Sequence, residues 1–222
     1  MRRLARLGVL CGLLWLCAGP LQAGAWLQER GAGFASSTTR LTWPQSYGIQ
    51  GWQLPSGRYD TLYVEYGLSP RVTIGADLGR AISGAGKSLL FLRLPLIGAG
   101  PMRLSAELGA GRIEGHQALR PGLSLGLSHA RGWLNADILA ELRGTAGTDV
   151  KMDLTLGLNL PQRRKAILQV QTGVQRGDPG FVRLAPSVVL PLRERLQAEI
   201  GASWGLVGDT SAGLLLGLWT QF

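Results

Sequence analysis

Segments of about ten residues in which apolar and polar side chains alternate recur along this chain, and few folds accept that pattern. Strand side chains point to opposite faces with period 2, so each segment carries one apolar and one polar face. Leu90, Leu92, Leu94 and Leu96 make one such apolar face, Leu134, Ala136, Ile138, Ala140 and Leu142 another, and Leu196, Ala198, Ile200, Ala202 and Trp204 a third. Eleven segments read clearly as strands and a weaker one over Gly33 to Leu41 makes twelve. Gly, Pro, Ser and Asp clusters separate them, as turns require.

The opposite face differs in kind. It carries Glu65, Asp77, Arg93, Arg103, Glu107, Arg120, Asp137, Glu141, Lys151, Asp153, Arg183 and Glu199, interspersed with glycines such as Gly75, Gly109, Gly126 and Gly157. Glycine weakens a strand interior unless curvature or a close approach needs it. Strong inward curvature on the crowded side of a closed barrel would explain these positions. The reading is an all-β, antiparallel, up-and-down transmembrane β-barrel of twelve strands, with strand lengths suited to crossing a bilayer at a tilt. A soluble β-sandwich or barrel with the apolar face inward shares the alternation. Twelve strands, however, enclose more space than Leu and Ala can fill, since about eight already suffice for a packed interior. Mixed acids and bases on one glycine-rich face also suit a narrow space where they neutralise each other.

Residues 1–23 have the order of an export signal: Arg2, Arg3 and Arg6, an apolar run from Leu7 to Leu16, then Leu21-Gln22-Ala23. Cleavage after Ala23 and cleavage after Ala25 both fit, and the barrel domain is expected over 24–222. The apolar run falls short of the ~18 residues that a spanning helix needs. Both cysteines, Cys11 and Cys17, lie in this leader. Leu14-Trp15-Leu16 lacks the small residues of a lipid-attachment site, so the remaining chain is expected to have no thiol chemistry. The net charge of +9 drops to +6 without the three leader arginines. The positive residues form no single stripe, and nucleic acid is not an expected partner.

From Ser211 the chain reads S-A-G-L-L-L-G-L-W-T-Q-F, with Ala212, Leu214, Leu216, Leu218, Thr220 and Phe222 on one face. This resembles the closing strand of Gram-negative outer-membrane β-barrel proteins. The resemblance implies that Leu214, Leu216, Leu218 and Phe222 form the signal read by the barrel-assembly machinery, with outer-membrane lipid as the surrounding partner. The stretch Tyr59 to Gly75, a strand ending Tyr66-Gly67-Leu68, a tight turn and a second strand, is also similar to small transporters associated with the MetA pathway of phenol degradation. That likeness covers one hairpin and implies uptake of small or hydrophobic compounds.

An even strand number puts both termini on the periplasmic side, where such barrels have short turns. Leu68 to Arg71, Gly98 to Pro101, Ala130-Arg131, Pro161 to Arg164 and Arg193-Glu194 then form those turns. Among the outer loops only Trp43 to Gly57 is long. Its Trp43, Tyr47 and Trp52 make it a gate over the mouth in one reading and an ordered interfacial loop in the other. Pro186 conflicts with the pattern, because it falls inside the tenth strand and cannot donate to a ladder. A bulge there would accommodate it.

Signals for catalysis are poor. His116 and His129 fall at opposite ends of a predicted strand, too far apart to share a metal. Ser128 and His129 are adjacent, and neighbouring strand residues point to opposite faces, which is poor geometry for a nucleophile and its base. Gly86-Lys87-Ser88 lacks the earlier glycine of a phosphate-binding loop, and Arg176-Gly177-Asp178 is ordinary turn composition. No metal, cofactor or enzymatic activity is expected. Arg93, Arg103, Glu107, Arg120, Glu141 and Lys151 are expected to form a charge ladder across neighbouring strands. That ladder either lines a narrow channel for small solutes or, alternatively, closes the lumen of a structural or interaction barrel. A lipid-modifying enzyme is a third and weaker reading.

Overall fold

The computed structural model describes residues 24–46 and 54–222. Residues 1–23, expected to be an export signal, and Tyr47 and Trp52 lie outside the described residues. Twelve antiparallel strands close into one barrel in up-and-down order. They are β1 (Gly33–Pro44), β2 (Gly57–Ser69), β3 (Val72–Ala81), β4 (Gly86–Ala99), β5 (Met102–Ile113) and β6 (His116–His129). The wall continues with β7 (Gly132–Leu142), β8 (Thr148–Leu160), β9 (Arg164–Val174), β10 (Phe181–Pro191), β11 (Leu196–Val207) and β12 (Ser211–Gln221). A short 3-10 turn, Gly144–Ala146, joins β7 to β8. β1 pairs with β12 from Phe34↔Gln221 to Pro44↔Ser211, which leaves no sheet edge unpaired. Both ends of the barrel sequence reach one rim, the terminal rim, together with the tight turns; the other is the loop rim.

Burial is inverted relative to a water-soluble protein. Leu90 is 70% exposed and Leu216 51%, whereas Glu65, Arg93 and Arg120 retain 1–3%. Strands of 10 to 14 residues carry this apolar belt around the whole wall. Lipid, and not water, is the solvent that such a surface requires. Outward aromatics mark both edges of the belt. Tyr66 and Phe222 stand at the terminal rim, while Trp204 and Trp43 flank Ala212 near the loop rim. This corrects the expectation for Trp43: it belongs to β1, on the lipid-facing side, and is not part of a loop over the mouth.

Glycine on the inner face has a more specific cause than curvature. A Cβ on Gly75 would overlap the Phe91 ring, and one on Gly157 the Trp133 ring. These two glycines are seats for aromatic rings lying flat against the wall. Phe91 also stacks on Tyr63 at 5.5 Å between ring centroids.

Pro186 sits inside β10 without a bulge at its own position. It pairs with Leu168 of β9, but the ladder to β11 skips Ala185 and Pro186 between Leu184↔Trp204 and Ser187↔Gly201. The missing donor therefore opens one side of the strand only. The register shift expected near it occurs instead at Val182/Arg183. Pro121 behaves likewise, since the β6–β7 ladder skips Arg120 and Pro121.

Candidate functional site: the barrel lumen

Alternation places the side chains of β2 to β6 in one inner wall, and the strand register brings charges far apart in sequence into contact. Lys87 donates to Asp77 at 2.7 Å, and Arg120 bridges Asp77 at 2.5 Å and Glu107 at 2.9 Å. Arg93 then bridges Glu107 at 2.7 Å and Glu65, which also accepts from the Tyr63 hydroxyl. Three cations and three carboxylates thus alternate along one neutral chain, largely shielded from water. Buried ions are tolerable when paired in this way. The Phe91 ring lies beneath the Arg93 and Arg120 guanidinium groups, 5.3 and 6.0 Å from its centroid.

The expected ladder is partly redistributed. Arg103 turns back to the terminal rim and donates to the carbonyls of Gly100 (2.8 Å) and Met102 (2.9 Å). Glu141 and Lys151 form their own pair at 2.9 Å. Arg183 pairs with Asp209 at 2.6 Å, and Glu199 accepts from Ser187 (2.7 Å) and Trp219 (3.0 Å). Asp137 accepts from Ser124 and Asn135, both at 2.5 Å. Asp209 lies between strands at the loop rim. Its partial burial opposes the charge, but hydrogen bonds from Ser211 and Arg183 outweigh that and hold its carboxyl below the usual range.

The far wall is more open. Arg40 on β1, Asp153 on β8 and Lys165 on β9 form no salt bridge among the described residues, although Lys165 lies 5.2 Å from the Trp133 ring centroid. Thr155, Gln169 and Gln171 complete this surface. Arg40 and Lys165 were not among the sequence candidates. The clue for Arg40 was the small, hydroxyl-rich inner face of the weak first strand, Ser36 and Thr38 leading to Arg40.

All twelve charged residues read from the polar face line one cavity of about 1840 Å³. The cavity reaches Arg163 and Glu194 at the terminal rim and Gly86 and Glu114 at the loop rim. Residues 24–32 turn into it. Gly31 donates to the Gly67 carbonyl at 2.8 Å, and the Gly67 N–H donates to the Ala32 carbonyl at 3.0 Å. Further in, Gln28 donates to the wall twice: its Nε2 to Glu65 (2.8 Å) and its backbone N–H to the Thr73 hydroxyl (2.9 Å). Trp26 covers Gly126, and Ala25 is 2% exposed. Nothing in the alternation pattern announces this segment, because it is not a strand.

His116 and His129 begin and end β6 and so stand at opposite rims. Ser128 donates to the Pro101 carbonyl at 3.2 Å, and His129 Nδ1 accepts from the Arg131 N–H at 3.4 Å, so the pair is engaged separately. Among the described residues no group of three or more His, Cys, Asp or Glu could hold a metal ion.

Geometry of this kind has solved counterparts. The KdgM porin, solved in complex with disordered oligogalacturonate, aligns with a TM-score of 0.65 at 6% identity, over 84% of this chain and 99% of the porin. The NanC porin aligns with 0.66 at 7% identity, over 84% and 98%. An outer membrane channel from Pseudomonas putida F1 aligns with 0.58 at 10% identity, over 90% and 99%. The fold is that of outer-membrane channels. No family model matches the chain. No curated protein matches it either.

Proposed function

We propose that this barrel is a narrow channel for small solutes in the bacterial outer membrane. The observation that carries the reading is a cavity lined by residues of both rims, with its charges neutralised on one wall and a polar, partly unpaired wall opposite. Arg40 faces the lumen on this open wall without a salt bridge among the described residues, with Asp153 and Glu199 as the carboxylates acting on it from a distance. The likeness in fold to the KdgM and NanC porins and to the Pseudomonas putida F1 channel supports the transport reading over an enzymatic one. The likeness of the 59–75 hairpin to transporters associated with phenol degradation supports small or hydrophobic passengers. The outward face of Leu214, Leu216, Leu218 and Phe222 is the surface that the assembly machinery would read on β12.

Reconstitution tests the proposal. Purified barrel should make liposomes swell in small sugars and should carry current in planar bilayers. Arg40→Glu should shift the reversal potential in a salt gradient toward cations by about twofold in permeability ratio, as a reversed charge in a narrow pore requires. Absence of both swelling and current would mean the closed, structural barrel.

A further inference from the structure

Among the described residues, three carboxylates of the polar face, Asp137, Asp153 and Glu199, lack the cation that their neighbours have, and Glu199 is held instead by Ser187 and Trp219. Glu65, Asp77, Glu107 and Glu141 all hold an arginine or lysine. Asp137 and Asp153 form no salt bridge among the described residues, yet they stand directly opposite each other on β7 and β8. Like charges in that position repel. Gly24 lies against Asp137, the β7 member of the pair. A Cβ on Gly24 would overlap Asp137 Oδ1 and stand 2.7 Å from Asn135 Nδ2, so its backbone is pressed onto the carboxylate. The Gly24 carbonyl is fixed from the other side by the Ser105 hydroxyl at 3.1 Å. The leader-like residues end at Ala23.

We propose that residues 24–32 form an internal strap whose amino end, released by cleavage after Ala23, is clamped as an ammonium by Asp137 and Asp153. Hydrolysis of the Ala23–Gly24 bond consumes one water. It leaves a carboxylate on Ala23 and an amine on Gly24, which takes up a proton near neutral pH. The new cation supplies a counter-charge at contact distance, where Arg40, Lys151 and Arg93 act on the pair only from further away. Cleavage after Ala25 would discard both the Ser105 bond and the buried Ala25, so only cleavage after Ala23 keeps these lumen contacts. The strap narrows the terminal half of the cavity along β2 to β7, and Gly67 admits it because a Cβ there would collide with the Gln28 and Glu29 carbonyls.

The test does not depend on solute passage. Intact-mass measurement of barrel isolated from membranes should give a chain beginning at Gly24. In the folded barrel at pH 7, a water-soluble acylating reagent should modify that α-amine at least tenfold more slowly than in the urea-unfolded chain. Asp137→Asn combined with Asp153→Asn should remove most of the protection, with folding checked by heat-dependent gel mobility. A chain beginning at Trp26, or an amine equally reactive folded and unfolded, overturns the proposal, and neither result needs a variant that folds. A barrel that excludes solute yet protects its amine would refute the channel and support the strap.

Discussion

A ring lying flat on a neighbouring strand needs a residue without a side chain beneath it. Trp133 on Gly157 is such a case, and the ring is 5% exposed and also carries the Lys165 ammonium over its face. Gly157→Val would drive two methyl groups into that ring. The expected loss is about 1–3 kcal/mol, the usual cost of overpacking. It would be read as a lower temperature for conversion of the folded to the unfolded gel band. Unchanged conversion would mean that Trp133 has room to move and that the glycine serves curvature alone. At this scale the sequence showed that glycine was frequent on the charged face, but not which ring used each one. That pairing depends on the register of adjacent strands.

Among the elements, β10 shows how a closed sheet absorbs a proline. Pairing with β9 continues through Pro186, and only the side toward β11 loses contact. Pro186→Ala restores an N–H facing that gap, where the register sets Ala202 opposite. One additional ladder bond should stabilise the barrel by about 1 kcal/mol. A higher urea midpoint in detergent, followed by tryptophan fluorescence, would show it; a lower midpoint would mean that the opened ladder is needed for the local shape. Strand boundaries were legible within a few residues because hydrophobic alternation is local. The exception was the first outer loop, where Trp43 continues the outward face of β1 beyond Leu41. Aromatic content alone could not distinguish a rim residue from a loop residue.

For the whole molecule, Glu107 is the junction of the buried charge chain, since it holds Arg93 and Arg120 together. Glu107→Gln would leave two guanidinium groups short of a counter-charge in a nearly dry wall. Removing one partner of a buried ion pair costs about 3–5 kcal/mol. The urea midpoint should fall accordingly, and a variant as stable as the parent would show that water reaches this wall freely. The candidate list drawn from the sequence contained the members of this junction but joined Arg103 to it and omitted Lys87. Arg103 leaves because Gly98 to Pro101 turns beside it and offers carbonyls; Lys87 joins because Asp77 lies one strand away.

By itself, the sequence determined that the wall has twelve strands, which face meets lipid and where the chain reverses. Each of these follows from a period of two residues and from turn chemistry, both readable within a short window. Only the tertiary structure decided how the enclosed charges divide into pairs, because Asp77 and Arg120 lie 43 positions apart and meet across β4 and β5 on the inner face of the curved sheet. It alone placed residues 24–32 inside the lumen. A segment held by wall contacts from Gly67 to Asp137 carries no periodicity of its own, so its position exists only once the barrel has formed around it.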